Sequence, residues 1–351
     1  MRKLFYSLAI ALVALMLSIP AKAGNVYNAS NFLGLYSFMR AESLMPNDTI
    51  RLTADITYSV GLSGINNYLY IPANTTRTID LNGYTLQHEC VDKQYLFVIE
   101  MMKRSVLNIC DSRGGGKIIN KSLFDFVATD NKRGTLEATH TFGINSRVID
   151  MSNAEDGVVN IYGGEILAYD NSGISATGSA IYCNSQFVGW KYFYWYDDHE
   201  FIVDQSKFTN QTVNIYGGVV SNIRNQFKTN ATFENVSLDS EGDTIWTDYG
   251  HHNPVTYYDY NYLLYSNEKL VVNLYGGNIG QNGMSIPALA YPKGFSGTLK
   301  DGTIYGIASE DHLNNFNGVA DGVKVYLNGT QTTVNALKTQ DLNDKTVRFA
   351  Y

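Results

Sequence analysis

One short phrase recurs along this chain and limits its fold more than any other feature. Val159-Asn160-Ile161-Tyr162-Gly163-Gly164-Glu165-Ile166 returns as Val213-Asn214-Ile215-Tyr216-Gly217-Gly218-Val219-Val220. It returns again as Val272-Asn273-Leu274-Tyr275-Gly276-Gly277-Asn278-Ile279. Such self-similarity marks a repeat architecture. Val-Asn-Ile-Tyr alternates aliphatic with polar or amphipathic residues, the period of a strand with one buried face. The Gly-Gly pair admits positive φ, so the chain can turn a corner that a side chain would block. Strand, glycine corner, strand describes one rung of a coil.

Spacing sets the size of the rung. Gly277 to Gly302 is 25 residues and Gly302 to Gly329 is 27. A three-sided coil of about 22–27 residues follows if each strand takes about 4–6 residues and each corner about two to four. The phrase copies at Gly163, Gly217 and Gly276 lie 54 and 59 residues apart. Each such gap is two coils, or one coil carrying a long insertion, and spacing alone does not decide between them. About eight to ten coils stacked at roughly 4.8 Å would make a rod some 40–50 Å long.

The flanking segments fit the same plan. Asn28 to Leu44 is the best helix candidate, with Phe32, Tyr36, Met39 and Leu44 near one face and Asn28, Ser30 or Asn31 available as its cap. Residues 24–49 are thus expected to cover the open end of the core, as stacked repeats require. The coil is expected over residues 50–330. Strand segments run from Ile50-Arg51-Leu52-Thr53, through Leu69 and Ile71, Ile79-Asp80-Leu81, Leu96-Phe97-Val98-Ile99 and Val106-Leu107-Asn108-Ile109, to Val148-Ile149-Asp150-Met151. Asn74-Thr75-Thr76-Arg77 and Lys103-Arg104 read as corners, and Asn82, Asn184 and Asn222 as turn formers. Residues 331–351 lose the phrase and are expected to close the other end.

These residues resemble a known family. Ile79-Asp80-Leu81-Asn82-Gly83-Tyr84-Thr85-Leu86, the rung at Gly114-Gly115-Gly116 and the three Tyr-Gly-Gly copies look like exported right-handed parallel β-helix proteins of the pectin-lyase-like superfamily. The likeness is strongest to bacterial members of unassigned activity and covers about residues 50–330. It implies an all-β, single-stranded right-handed parallel β-helix, a solenoid, with an N-terminal helical cap. Its motifs are core and corner residues, so they carry fold and leave activity open.

The first residues read as a targeting segment. Arg2 and Lys3 precede an apolar run from Leu8 to Ile19, and Ala21-Lys22-Ala23 supplies the small residues of a cleavage site before Gly24. The run is too short for a bilayer span. Residues 1–23 are therefore expected to be a removed signal peptide, and the product secreted or extracytoplasmic, in a periplasm or at a cell surface. No later stretch reads as a transmembrane segment. Residues 1–23 carry three of the 26 basic residues and none of the 33 acidic ones, which leaves a net charge of −10 on the remainder. That argues against nucleic acid and anionic membranes as partners. Cys90, Cys110 and Cys183 are too few and too scattered for a disulfide framework. They read as small apolar residues, although one pair could form after export.

Chemistry was sought in acids and aromatics. In the resembled family, hydrolases use clustered aspartates on one sheet, and many lyases use calcium-binding acids with a basic residue. Asp197-Asp198-His199-Glu200 is the densest group of acids with a histidine, and it could offer general acid and base carboxylates. Adjacent strand residues point to opposite faces, however, which favours a solvated loop here. His251-His252 with Asp248 and Asp259 lacks a defining ligand spacing, so no metal and no cofactor is expected.

Two aromatic runs are more informative. Trp190, Tyr192, Tyr194 and Trp195 follow the first phrase copy, and Trp246, Tyr249, Tyr257 and Tyr258 follow the second. They fall in expected insertions near residues 183–200 and 239–262. Trp190 lies 27 residues after Gly163 and Trp246 lies 29 after Gly217, so both insertions would leave the coil at nearly the same corner. Together they would offer apolar area with polar edges, suited to carbohydrate or a partner protein. Packing of the two insertions on each other is the competing outcome. The leading expectation is a non-catalytic binding module. The alternative is a polysaccharide lyase or glycoside hydrolase acting on acidic glycans.

Overall fold

Three parallel sheets, entered in a fixed order, organise the computed structural model of the chain. It describes residues 24–59, 68–89, 97–121, 125–129, 139–143, 147–170, 173–174, 179–183, 210–221, 223–224, 228–231, 237–238, 244–245, 253–254, 260–263, 270–281, 289–290, 297–307 and 318–351. The first sheet runs through Val26–Ala29, Thr49–Leu52, Thr76–Asp80, Val106–Cys110, Gly157–Ile161, Gln211–Ile215 and Leu270–Leu274. The second runs through Leu69–Ile71, Phe97–Met102, Arg147–Asn153, Ser179–Tyr182, Ile223–Arg224 and Leu289–Ala290. The third begins Ile56–Ser59, Thr85–Glu89, Lys117–Asn120, Glu165–Asp170, Val219–Val220, Asn278–Ile279 and Gly302–Tyr305. From Leu69 to Ile279, hairpins and short extra strands aside, the chain visits second, first and third sheet in that order. The protein is all-β, mainly parallel, with two short helices among the described residues.

The register is set by the aliphatic positions of the phrase. Ile161 pairs with Ile215, and Ile215 with Leu274. The same column extends back through Ile109, Ile79 and Ile50, and forward to Leu299 and Val319. Ile50, Ile79, Ile109, Ile161, Ile215, Leu274 and Leu299 are all fully buried. Phrase copies are therefore neighbours in the sheet. The long gaps are single circuits carrying insertions, which resolves the choice that spacing left open. Asparagines one place before the aliphatic column show the circuit lengths: 30 residues back from Asn108 to Thr78, then 52, 54 and 59 at the following steps. The 52-residue step contains an antiparallel hairpin, Asp125–Thr129 with Thr139–Gly143, which the sequence reading did not single out.

Corner glycines are needed twice over. Gly218 has φ of +80°, and a Cβ there would lie 2.3 Å from the carbonyl oxygen of Gly164 on the adjacent circuit. Left-handed backbone costs an L-residue about 1–2 kcal/mol before that clash is counted.

Three details differ from the sequence reading. The N-terminal helix, α1, spans only Phe32–Arg40 with Asn31 as its cap, because Val26–Ala29 pairs as a strand with Thr49–Leu52. α1 touches the opening strands of all three sheets and buries Leu35 and Met39 in the core. Arg77 is not in a corner but on a strand, in the inward-facing row of Leu107 and Val159. There it is buried, donating from Nε to the Met39 carbonyl at 2.8 Å and from Nη2 to Ala41 at 2.7 Å. It thus satisfies carbonyls at the C-terminal end of α1, which the helix itself leaves without donors. The 27-residue step to Gly329 is not a circuit. Lys324–Leu327 forms a hairpin with Thr330–Thr332 and runs antiparallel to Thr346–Ala350, which in turn pairs antiparallel with Gly302–Tyr305. The second helix, α2 (Val334–Leu337), lies between these strands in sequence, and Leu337, Leu342, Val347 and Phe349 are buried.

The aliphatic column makes one test direct. Burial of an Ile side chain contributes about 1.5–3 kcal/mol, and an ionised carboxylate in its place has no partner there. Ile215→Asp is expected to abolish cooperative thermal unfolding followed by circular dichroism. Ile215→Val should retain it and lose about 0.5–1.5 kcal/mol. A cooperatively folding Ile215→Asp protein would contradict the register.

Candidate functional site

All the site residues expected from sequence lie outside the described residues. These are Asp197, Asp198, His199 and Glu200, the aromatics Trp190, Tyr192, Tyr194, Trp195, Trp246, Tyr249, Tyr257 and Tyr258, and the histidine pair with Asp248 and Asp259. The signal segment 1–23 and Cys90 are outside them too. What the topology does give is the place of both aromatic runs in the circuit. The first falls between the second-sheet strand Ser179–Tyr182 and the first-sheet strand Gln211–Ile215. The second falls between Ile223–Arg224 and Leu270–Leu274. Both runs belong to the same connection, from second sheet to first.

Among the described residues, the first sheet presents an aromatic surface of its own. Because Val159 and Ile161 face inward, Val158, Asn160 and Tyr162 face outward. The register repeats this choice as Thr212, Asn214 and Tyr216, then Val271, Asn273 and Tyr275. The tyrosines form a ladder. Tyr162 and Tyr216 stack at 4.8 Å between centroids and 6° between planes, and Tyr216 and Tyr275 at 5.1 Å and 17°. Stacked rings cover part of one another's faces, and Tyr275 is half-buried. Tyr162 is 52% exposed and Tyr216 43%. The asparagines form a second ladder beside them. Asn160 donates to Asn108 at 2.8 Å, Asn214 to Asn160 at 2.8 Å and Asn273 to Asn214 at 2.7 Å. The backbone N–H of Thr298 then donates to Asn273 at 2.7 Å. The sequence reading took Val-Asn-Ile-Tyr as strand pattern alone. The signal it passed over was the identity of the outward residues, Asn and Tyr at the same place in every copy.

A second cluster lies on the outer side of the second sheet. Glu100 and Asp150 are register partners on adjacent parallel strands, and Tyr182 follows Asp150 on the next. Asp150 is paired with the Arg147 guanidinium at 2.5 Å, and that guanidinium sits 3.6 Å from the centroid of the Tyr182 ring. Burial pushes the Glu100 carboxyl above the usual carboxylate range, with Asp150 adding to the rise against hydrogen bonds from Asn153 and Tyr68. A carboxyl shifted upward beside an ion-paired carboxylate is the arrangement general acid–base chemistry uses. A second recurrence marks it in the sequence: Val98-Ile99-Glu100-Met101 and Val148-Ile149-Asp150-Met151. Each looked like an ordinary strand when read alone.

Other acids serve the corners. Asp80 accepts from the Ser112 N–H and hydroxyl, the Asn82 N–H and Arg51 Nε, all within 3.0 Å. Burial would raise its carboxyl, but these donors outweigh it and hold it below the usual range. Asp111 accepts from the N–H groups of Gly83 and Gly116, both at 2.7 Å. Both described thiols are shifted away from the thiolate. Burial, with Asp80 and Asp111 nearby, pushes Cys110 up to about 11. Burial also raises Cys183, which lies in the core. Among the described residues, no three His, Cys, Asp or Glu side chains gather as a metal site, and no helix is long and apolar enough to cross a membrane. No protein-family model, curated protein or solved structure matches this chain.

The tyrosine ladder has a pH signature. Burial, then Tyr162 and Tyr275, raise the Tyr216 phenol above its ordinary value. Its contribution to stability is thus full below about pH 10, the unfolded value, and is lost as pH rises through the folded one. The fall in urea midpoint between pH 8 and pH 11 should be smaller in Tyr216→Phe than in the wild type. An equal fall would show that the ladder is not coupled.

Proposed function

We propose that this chain is a right-handed parallel β-helix whose outer aromatic surface binds carbohydrate or a partner protein without transforming it. The fold reading is supported by the fixed order in which the chain enters three parallel sheets, by the right-handedness of almost all parallel crossovers, and by the resemblance to the pectin-lyase-like superfamily. Under this reading, residues 24–49 and 331–351 cap the two ends. The binding reading is carried by one observation, the stacked ladder of Tyr162, Tyr216 and Tyr275, in which Tyr162 and Tyr216 are exposed and Tyr275 is half-buried. Tyrosine offers a large apolar face with a polar edge, which suits sugar rings and protein interfaces alike. Trp190 and Trp246 each fall, in sequence, between a second-sheet and a first-sheet strand, and their aromatic runs are proposed to serve the same binding. Export, expected from residues 1–23, would place it where glycans and surface proteins are met.

The Glu100–Asp150 pair favours a second reading, a glycan-cleaving enzyme. Glu100 would donate the proton to the leaving oxygen, while Asp150, ion-paired with Arg147, would act as base or nucleophile.

One experiment separates the two. The purified chain is screened on a glycan array, then incubated with polygalacturonate and with xylan while unsaturated products and reducing ends are followed. Binding without turnover, weakened by Trp190→Ala or Trp246→Ala in folded protein, is the expected result. Turnover abolished by Glu100→Gln or Asp150→Asn would install the enzymatic reading instead.

A further inference from the structure

We infer that the outer face of the first sheet binds a linear, uncharged, β-linked polysaccharide lying along the stacking direction, across Tyr162, Tyr216 and Tyr275. This rests on the binding reading above and narrows it to a ligand class and a face.

The argument begins with periodicity. Across three adjacent strands the face repeats one outward trio: Val158, Asn160, Tyr162; Thr212, Asn214, Tyr216; Val271, Asn273, Tyr275. A partner protein that is not itself a repeat presents a different side chain at each step. A polymer of one sugar presents the same group at each step and can satisfy a repeating array. In-register pairing of three adjacent strands sets the rings in a row across the strands, at nearly equal steps of 4.8 and 5.1 Å. A row with an even step suits the extended ribbon of a β-linked chain better than a coiled one.

Charge points the same way. None of the nine side chains of the array is a carboxylate, an amine, a guanidinium or an imidazole: they are valine, threonine, asparagine and tyrosine. Among the described residues near the array, Glu165 pairs with Lys117 at 2.9 Å and Asp156 with Arg104 at 3.8 Å, and Lys300 lies over the Tyr351 ring at 4.8 Å. The whole chain is acidic, at −7, and would repel an anionic polymer. Hydrogen-bonding capacity is left over as well. An amide side chain has two donor hydrogens and two acceptor lone pairs, and the ladder uses one of each on Asn160 and Asn214. The remainder lies in a row beside the rings, where the hydroxyls of a ribbon could be met.

The test is binding of the full mature chain, by affinity electrophoresis and calorimetry, to xylan and mixed-linkage β-glucan, with polygalacturonate as the anionic control. The two neutral polymers should bind and polygalacturonate should not. Affinity for xylo-oligosaccharides should rise with length until the chain crosses all three rings. Tyr216→Ser should weaken binding about tenfold, the effect of roughly one lost aromatic contact. Tyr216→Phe, which keeps the ring, should bind within about threefold of wild type, a difference of under about 1 kcal/mol. Tyr162→Ser, at the end of the ladder, provides the same test if Tyr216→Ser does not fold. Neutral-glycan binding that Trp190→Ala abolishes and both ladder variants leave intact would overturn this inference while sparing the broader reading. Absence of binding to any glycan or protein would remove both. Preference for polygalacturonate, or a dimer that Tyr216→Ser dissociates, would also overturn it.

Discussion

Parallel pairing between copies of one phrase is the interaction on which the rest of this structure depends. When Ile161, Ile215 and Leu274 pair in register, each strand's inward set falls on the inward set of the next. A slip of one residue would turn every aliphatic side chain out to solvent. The magnitudes show which part of the pairing holds the stack. A buried Ile or Leu contributes about 1.5–3 kcal/mol, whereas an asparagine ladder bond is worth about 0.5–1.5 kcal/mol net and a stacked ring pair a similar amount. The core column supplies the stability, and the outer ladders reinforce the register it selects. The glycine corners permit the stacking, since Gly218 fits against Gly164 only without a side chain.

The same register makes the surface. Tyr162, Tyr216 and Tyr275 are 54 and 59 residues apart in sequence and neighbours in space. Glu100 and Asp150 meet in the same way on another sheet. A fold of this kind builds sites from positions repeated once per circuit, and the length of chain between them is irrelevant to their geometry. Insertions can then grow at the corners without disturbing either face, as the hairpin at Asp125–Thr129 and Thr139–Gly143 does.

Much of the fold was legible because the physics is local and repeated. The aliphatic columns, the corner at Arg104 with its φ of +55° and the turn at Asn82-Gly83 all follow from short-range pattern. The reading failed where identical local chemistry serves different long-range pairing. Leu81-Asn82-Gly83 and Leu327-Asn328-Gly329 adopt almost the same backbone, with φ of 51° and 80° in one and 49° and 82° in the other. The first turns between parallel sheets; the second closes an antiparallel hairpin. Arg77 misled for a related reason. A charged residue after Asn-Thr-Thr looks like a solvated corner until α1 brings two carbonyls to meet it. The candidate surfaces were less legible than the core. Outward residues carry no hydrophobic signature, and only the register of one circuit against the next shows that they form rows.

The most direct test of the account is whether phrase copies are immediate neighbours. Asn160→Cys with Asn214→Cys, in a chain whose three native cysteines are replaced by serine or alanine, places two thiols on paired strands. Their Cα atoms should lie about 4.8 Å apart, within the range a disulfide spans. Mild oxidation should therefore give an intramolecular bridge joining the two peptides in a mass-spectrometric digest. A folded protein that forms no such bridge would put a further circuit between the copies, at about twice the strand spacing, and would contradict the account.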